Sequence, residues 1–175
     1  DWKREWPWDL KDEYDRKWQS MYVLPKDAYK RAKKMLKLED FILTFWPGIF
    51  AIFYGDEVGI QGYGNLANRK SFPWNRMDKD ILSYVRKLIK IRKEYDFLQK
   101  ATTNVLELTK DKFVFERVNR DKKDEQKDYK KIIVVVNNGY TNLPLEYKGR
   151  IIASYNYNSI KNVICSKGAV AILIS

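Results

Sequence analysis

The sequence contains no histidine, and this absence excludes more chemistry than any other feature of its composition. Without an imidazole, the chain cannot build a histidine-based catalytic triad, a histidine general base or an imidazole metal site. A single cysteine, Cys165, also excludes an intrachain disulfide and a cysteine-cluster metal site. We therefore expect no metal and no other cofactor, and the cysteine usage fits a reducing compartment.

Long hydrophobic runs are missing as well. The longest apolar run lies around residues 50–54, whereas a membrane-spanning helix needs about 20 apolar residues. No signal peptide is recognisable, although the chain begins with Asp1 rather than Met. The sequence therefore predicts a cytoplasmic protein with no membrane partner. It leaves open whether the chain is a fragment or a complete, degenerate protein.

Basic residues outnumber acidic ones, 34 to 23, which gives a formal net charge of +11. Such an excess raises the question of nucleic-acid binding. However, the lysines are spread along the chain, and the densest charged run, residues 121–131, interleaves both signs. That pattern is typical of a solvated loop between two strands rather than of a phosphate-binding track. We expect no nucleic-acid partner.

The composition and its periodicity nevertheless predict a folded chain. Hydrophobic residues make up 45% and aromatic residues 15% of it, unlike the composition of disordered segments. Apolar residues recur every three to four positions over residues 26–45, with Asp27 as the expected N-cap, and over residues 78–95. Between these two predicted helices, residues 49–54 are expected to form a fully buried strand and residues 55–77 a long loop.

Beyond about residue 101 the pattern changes to short β-rich stretches. Turn signals such as Asn137-Asn138-Gly139 separate them, which favours antiparallel pairing. The strands are expected at residues 104–109, 112–118, 131–137, 150–155, 160–164 and 169–174. The sequence thus predicts an α+β chain that ends in an antiparallel sandwich or small barrel.

Three motifs follow one another along the chain. Residues 47–59 read PGIFAIFYGDEVG, residues 68–74 read NRKSFPW, and residues 88–95 read LIKIRKEY. In this order they resemble the end of the α-amylase family, glycoside hydrolase family 13. The loop is most similar to that of the neopullulanase, cyclomaltodextrinase and pullulan-degrading group.

This resemblance implies a fold and an activity. Residues 1–100 would be the C-terminal part of a (β/α)8 barrel, with its last strand and helices. Residues 101–175 would be a C-terminal β-sandwich domain. The whole enzyme would hydrolyse α-1,4 or α-1,6 glycosidic bonds of α-glucans with retention of configuration.

The resemblance also predicts that this chain lacks the catalytic acids. The family's nucleophile and proton donor follow the fourth and fifth barrel strands, which the chain is too short to include. A third acid belongs to an Asn-His-Asp motif roughly thirty residues before Pro47. No such motif is present near Lys17 and Gln19, and Asp15 has no supporting motif. The chain alone is therefore predicted to be inactive, with no catalytic residue.

Four residues are predicted to contact the sugar: Arg69, Asn65, Trp74 and Tyr54. Arg69 matches the arginine of the family's loop, whereas Asn65 stands where the family has an aspartate. Trp74 and Tyr54 offer aromatic faces that suit the apolar faces of sugars. Alternatives stay open: a salt bridge for Arg69, a barrel-capping role for Trp74 and simple packing for Tyr54.

Two neighbouring acids, Asp56 and Glu57, are predicted to hold the loop rather than to catalyse. Adjacent residues at a strand end point in opposite directions, so they cannot both face one glycosidic bond. For Arg69, either acid is the partner in the salt-bridge alternative.

Two functions follow from these expectations. In the first, the chain is the C-terminal portion of an α-glucan hydrolase, whose partner is the missing part of the barrel or a second copy. In the second, it is a non-catalytic carbohydrate-binding or interaction module derived from such an enzyme. Both predict an α-glucan oligosaccharide or polysaccharide as the ligand.

Overall fold

A computed structural model describes residues 23–62, 70–119 and 131–174 of the chain. The first helix of the described residues, α1, spans Lys26–Phe45 and confirms the predicted bounds. Its N-cap is Pro25 rather than the expected Asp27. Asp27 lies instead in the first turn, where a carboxylate is favourable beside the positive end of the helix.

The second helix, α2, spans Lys79–Glu94 and confirms the second predicted helix to within one residue at each end. Asp78 is its N-cap, and its carboxylate accepts hydrogen bonds from the backbone N–H groups of Asp80 at 3.0 Å and Ile81 at 3.2 Å. These bonds satisfy two of the amide groups that a helix start leaves unpaired.

The predicted buried strand over residues 49–54 is wrong. This segment has no regular secondary structure apart from a turn, and Ile49 is 94% and Phe53 57% exposed. A buried parallel strand needs paired neighbours, whereas every strand of the described residues belongs to an antiparallel sheet. The apolar run therefore lies on the surface, and the barrel fragment stays a proposal.

Six strands form the antiparallel sheet. They are β1 (Thr102–Leu108), β2 (Lys112–Val118), β3 (Lys131–Asn137), β4 (Leu143–Pro144), β5 (Arg150–Asn158) and β6 (Val163–Ile174). The order is β1-β2-β3-β6-β4, and β5 also pairs with β6. The two strands predicted at residues 160–164 and 169–174 are thus one long strand. Within the described residues all strands belong to one sheet, so the second layer of a sandwich stays a prediction.

Both faces of the sheet carry buried apolar side chains, because successive residues of the central strand β3 point to opposite faces. Ile132 and Val134 of β3 pack with the helices, whereas Ile133 and Val135 belong to a second cluster on the opposite face. The helix-side core includes Phe41 of α1 as well as residues of α2 and the sheet. The helices and the strands therefore share one core, and the predicted division at residues 100 and 101 stays untested.

Two arginines donate hydrogen bonds to backbone carbonyls at and beyond the C-terminal end of α1. Arg117 of β2 is fully buried and donates hydrogen bonds to the carbonyls of Phe45, Leu98 and Ala101. Burial, together with the charge of Arg92, lowers the pKa of Arg117 to about 10. Both cations lie at the negative end of the α1 dipole, where carbonyls are left without intrahelical partners.

Arg92 of α2 provides the second set of bonds. It donates to the carbonyls of Thr44 at 2.6 Å, Trp46 at 3.2 Å and Gly48 at 2.6 Å. The chain is therefore held where it leaves α1 and enters the exposed segment 49–54. As for membranes, none of the helices in the described ranges has the length and hydrophobicity needed to span a bilayer.

Candidate functional site

The motif of residues 55–59 forms a tight 3₁₀ turn at the start of the long loop. Gly55 and Gly59 both have positive φ angles, 91° and 71°, which favour glycine. The carboxylate of Glu57 accepts a hydrogen bond from the N–H of Gly55 at 2.9 Å. Glu57 thus holds the turn locally, which is the kind of contact expected of a structural residue.

Asp56 lies beside another carboxyl group that the sequence did not single out. Burial, the charge of Glu57 and that of Glu39 raise the pKa of Asp56. Asp40 of α1 is 7% exposed, and burial with the charges of Glu39 and Asp56 raises its pKa to about 6. Asp40 therefore has little contact with solvent in the described structure. The only sequence signal for Asp40 was an acid on the apolar face of α1.

Three aromatic rings connect the two ends of the loop. Tyr54 and Phe72 have ring centroids 6.0 Å apart, and those of Phe72 and Trp74 are 4.7 Å apart. The hydroxyl of Tyr54 also donates to the carbonyl of Lys70 at 3.2 Å. We call Tyr54, Phe72 and Trp74 the aromatic row. The structure therefore brings two predicted sugar contacts together through Phe72, which the sequence reasoning did not select.

The aromatic row is accessible to a ligand. Trp74 is 74% exposed and Tyr54 is 48% exposed. The other two predicted sugar contacts, Asn65 and Arg69, lie outside the described residues, as does the region of Lys17 and Gln19. The structure therefore leaves the predictions for these residues untested, including a salt bridge from Arg69.

The base of the loop is closed by contacts that sequence reasoning missed. The N–H of Asp78 donates to the carbonyl of Val58 at 3.0 Å, across the ends of the loop. The carboxylate of Asp78 accepts from the hydroxyl of Tyr29 at 2.7 Å and from Lys33 at 2.8 Å. The only sequence signal was an aspartate immediately before an amphipathic helix.

These contacts shift the ionisation of both partners. Burial alone would raise the pKa of Asp78, but hydrogen bonds from Lys33, Tyr29 and the backbone of Ile81 lower it to about 2. Burial and the hydrogen bond to Asp78 raise the pKa of Tyr29 to about 12. Asp78 is therefore a permanent anion at neutral pH. Among the described residues, no group of three or more acids or cysteines is arranged to hold a metal ion.

Several known proteins are similar in sequence to part of this chain. No protein-family model matches the chain. An amylopullulanase from Thermoanaerobacter thermohydrosulfuricus is 35% identical over 111 residues, which cover 62% of this chain and 8% of that protein. A cyclomaltodextrinase from a Bacillus species is 31% identical over 114 residues, covering 64% of this chain and 19% of that protein.

A solved structure shares the fold. The crystal structure of a debranching enzyme from Nostoc punctiforme superimposes with a TM-score of 0.63 at 21% identity. The match covers 81% of this chain and 31% of that structure, and a crystal of the same enzyme was soaked with acarbose. The chain therefore spans less than a third of the length of each of these three proteins.

Proposed function

Because this chain is related to the neopullulanase and cyclomaltodextrinase group of the α-amylase family and matches only part of such enzymes, we propose that it is the C-terminal portion of an α-glucan hydrolase. In this proposal, residues 1–100 belong to the catalytic barrel and residues 101–175 form the C-terminal β-domain. The whole enzyme hydrolyses α-1,4 or α-1,6 bonds, and this chain supplies one sugar-contacting loop.

The observation that carries the proposal is the apolar surface that the described chain leaves open. Ile49 and Phe53, in the segment that matches the family's last barrel strand, are 94% and 57% exposed. An isolated domain rarely exposes such a run. In the whole enzyme, the preceding part of the barrel would cover this apolar surface.

Exposed apolar residues of helix α1 also support a partner that covers this surface. The inner face of α1 packs on the sheet, yet Met35 and Leu43 on another face are 46% and 38% exposed. Ala32 and Leu36 line a mainly apolar cavity of about 280 Å³. These partly exposed apolar residues form a surface that a further part of the enzyme can cover. We propose the missing barrel portion as the partner, with a homo-oligomer as the alternative.

The aromatic row supports the choice of ligand. Aromatic faces pack against the apolar C–H faces of pyranose rings, and sugar sites combine such faces with a few polar groups. In this proposal Trp74 and Tyr54 stack on a glucan, and Asn65 and Arg69 of the same loop bind its hydroxyls. Asp56 and Glu57 hold the loop and take no part in bond cleavage.

The chain alone is proposed to bind without turnover. A retaining glycosidase needs one carboxylate as nucleophile and a second carboxylic acid as proton donor, on opposite sides of the bond. The acids near the loop are engaged otherwise: Asp40 is buried, Glu57 binds Gly55 and Asp78 binds Tyr29. We propose that none of these acids takes part in bond cleavage.

A specific observation also favours the alternative function, a non-catalytic carbohydrate-binding module. The helices and the sheet share one hydrophobic core, and Arg117 connects the two. Such a chain has the means to fold by itself. A monodisperse, cooperatively unfolding monomer would support the module and contradict the need for a partner.

The test measures binding and hydrolysis of maltooligosaccharides separately. We expect saturable binding by the chain, no release of reducing sugar, and weaker binding after Trp74→Ala. Tyr140→Ala is the matched control, because Tyr140 is 87% exposed but lies between β3 and β4. Equal loss in both variants, or hydrolysis by the purified chain, would contradict the proposal.

A further inference from the structure

The long loop is closed at its base by a small group of residues that we call the loop clamp: Tyr29, Val58, Gly59 and Asp78. The backbone bond from Asp78 to Val58, 3.0 Å long, joins the two ends of the loop. Two members of the aromatic row, Phe72 and Trp74, lie between these ends and precede Asp78 by only a few residues, and Tyr54 comes just before Val58. Whatever fixes Asp78 therefore also fixes the path of the segment that carries Trp74.

Asp78 is fixed from three directions. Its carboxylate accepts from the hydroxyl of Tyr29 at 2.7 Å and from the ammonium of Lys33 at 2.8 and 2.9 Å, both on α1. The same carboxylate caps α2 through the N–H groups of Asp80 and Ile81. One side chain thus connects α1, the end of the loop and the start of α2.

Gly59 completes the clamp by close approach. A Cβ atom at Gly59 would lie 2.6 Å from the Tyr29 hydroxyl and 3.4 Å from the Asp78 Cβ. The backbone at the start of the loop therefore lies directly against the hydroxyl that Asp78 holds. The two ends of the loop therefore meet at the hydrogen bond between Tyr29 and Asp78, beside the backbone bond from Asp78 to Val58.

The clamp is separable from the neighbouring ion pairs. Asp80 binds Lys33 at 2.8 Å and Lys37 at 2.7 Å, so it also connects α2 to α1. Its side chain is 62% exposed and shares Lys33 with Asp78, but among the described residues it makes no hydrogen bond to Tyr29, Val58 or Gly59. Asp80 is thus a natural control for the loss of an acid at the α1–α2 contact.

We propose that Asp78 is a positioning residue for glucan binding: by holding Tyr29 and the backbone of the loop, it fixes the aromatic row in the geometry that a sugar chain requires. This inference rests on the proposed function, because it assigns a role within the same binding surface. Asp78 itself touches no sugar.

The experiment compares Asp78→Ser with Asp80→Asn. Serine keeps the N-cap of α2, since its hydroxyl accepts from the same backbone N–H groups, but it is too short to reach Tyr29 and Lys33. Tyr29→Phe provides a second variant, which removes one hydrogen bond and leaves the cap intact. Circular dichroism establishes that each variant is folded at the temperature of measurement.

Two quantities are measured: the affinity for maltoheptaose by calorimetry and the hydrogen exchange of the amides of residues 74, 76 and 78. We expect Asp78→Ser to lower the affinity about three- to tenfold, because a looser surface must be ordered on binding. We expect these amides to exchange about tenfold faster. Tyr29→Phe should act in the same direction, and Asp80→Asn should leave both quantities within about twofold.

The possible outcomes distinguish a failure of the positioning role of Asp78 from a failure of the proposed function. If the unaltered chain binds but Asp78→Ser and Tyr29→Phe bind equally well, the positioning role is overturned and the proposed function stands. If Asp80→Asn weakens binding as much as Asp78→Ser, the helix contact rather than the clamp is responsible, and the inference also fails. If the unaltered chain does not bind, the proposed function and the role of Asp78 in it fall together.

Discussion

The buried guanidinium of Arg117 donates a hydrogen bond to the carbonyl of Phe45, the last residue of α1, which lies 72 positions earlier in the chain. This bond joins a strand of the sheet to the end of a helix. Arg117 has no exposed surface, and its bonds to described residues are to backbone carbonyls rather than to an acid. The relationship makes the helix end and the sheet depend on one another.

Replacing Arg117 with methionine should therefore destabilise the whole chain. The carbonyls of Phe45, Leu98 and Ala101 would lose a buried donor, and we expect the free energy of unfolding to fall by about 3 kcal/mol. Urea denaturation followed by circular dichroism measures it. The control is Arg86→Met, on the exposed side of α2, which should change stability by less than about 0.5 kcal/mol. Equal effects would show that the bonds of Arg117 contribute nothing.

Gly59 and Gly48 offer a second test, because both have positive φ angles in different surroundings. An alanine at Gly48 would meet no atom within 4 Å, whereas one at Gly59 would meet the Tyr29 hydroxyl at 2.6 Å. We expect Gly48→Ala to cost about 1 kcal/mol from backbone strain alone. Gly59→Ala should cost about 2–4 kcal/mol because overpacking is added. Thermal unfolding measures both, and equal costs would contradict the close approach.

The ionisation of Asp40 predicts an unusual dependence of stability on pH. Its pKa is raised from 3.8 to about 6 in the folded chain. The folded state therefore binds more protons between these values, and the free energy of unfolding falls as pH rises through this window. Asp40→Asn should be more stable than the unaltered chain by about 1–3 kcal/mol at pH 7, with the gain disappearing near pH 4.

The check on Asp40 is chemical denaturation from pH 4 to pH 7. The exposed acid Glu94, at the end of α2, serves as control, and Glu94→Gln should stay within about 0.5 kcal/mol throughout. A stability difference for Asp40→Asn that does not vary with pH would show that burial does not disfavour its charge.

The lowered pKa of Asp78 predicts that the free energy of unfolding falls as pH falls, the opposite of the trend for Asp40. Its pKa is lowered from 3.8 to about 2 on folding, so the unfolded state binds more protons in this window. The stabilisation is present above pH 3.8 and is lost as pH falls towards 2. Asp78→Asn keeps an N-cap but loses the charge, and it should lower the free energy of unfolding by about 2 kcal/mol at pH 7.

The difference for Asp78→Asn should shrink towards zero near pH 2, as measured by urea denaturation. Asp27→Asn is the matched control, since the contact of Asp27 among the described residues is an exposed pair with Lys30 at 3.6 Å. We expect it to change stability by less than about 0.5 kcal/mol. A constant difference across pH would place the role of Asp78 in packing rather than in charge.

Regular periodicity explains which parts of this fold the sequence predicts. The apolar spacing over Lys26–Phe45 and the run of β-branched residues over Lys131–Asn137 are local signals, and both elements have the predicted bounds. The apolar run at residues 49–54 carries the same kind of signal. The strand prediction failed because a strand is buried only when neighbouring strands pair with it. A local apolar run does not show whether such neighbours exist.

The candidate site was less predictable for a related reason. The aromatic side chains of Tyr54 and Trp74 mark them individually as sugar contacts, whereas the role of Phe72, which lies between their rings, depends on the fold. Asp78 and Tyr29 are separated by 49 positions, and their hydrogen bond arises only when α1 and α2 pack together. Asp40 and Arg117 are polar residues at positions where the pattern predicts apolar ones. The partners of Arg117 come from distant segments, and the burial of Asp40 depends on how α1 packs, so the pattern alone could not assign either residue a role.

The long strand β6 has a consequence for synthesis on the ribosome. It follows every other strand in the sequence, yet it pairs with β3, β4 and β5. The meander of β1, β2 and β3 can form early, but the edge of β3 that pairs with β6 remains unpaired until β6 has emerged. During translation that edge is a target for aggregation, and nascent chains stalled before residue 163 should be the ones that chaperones hold.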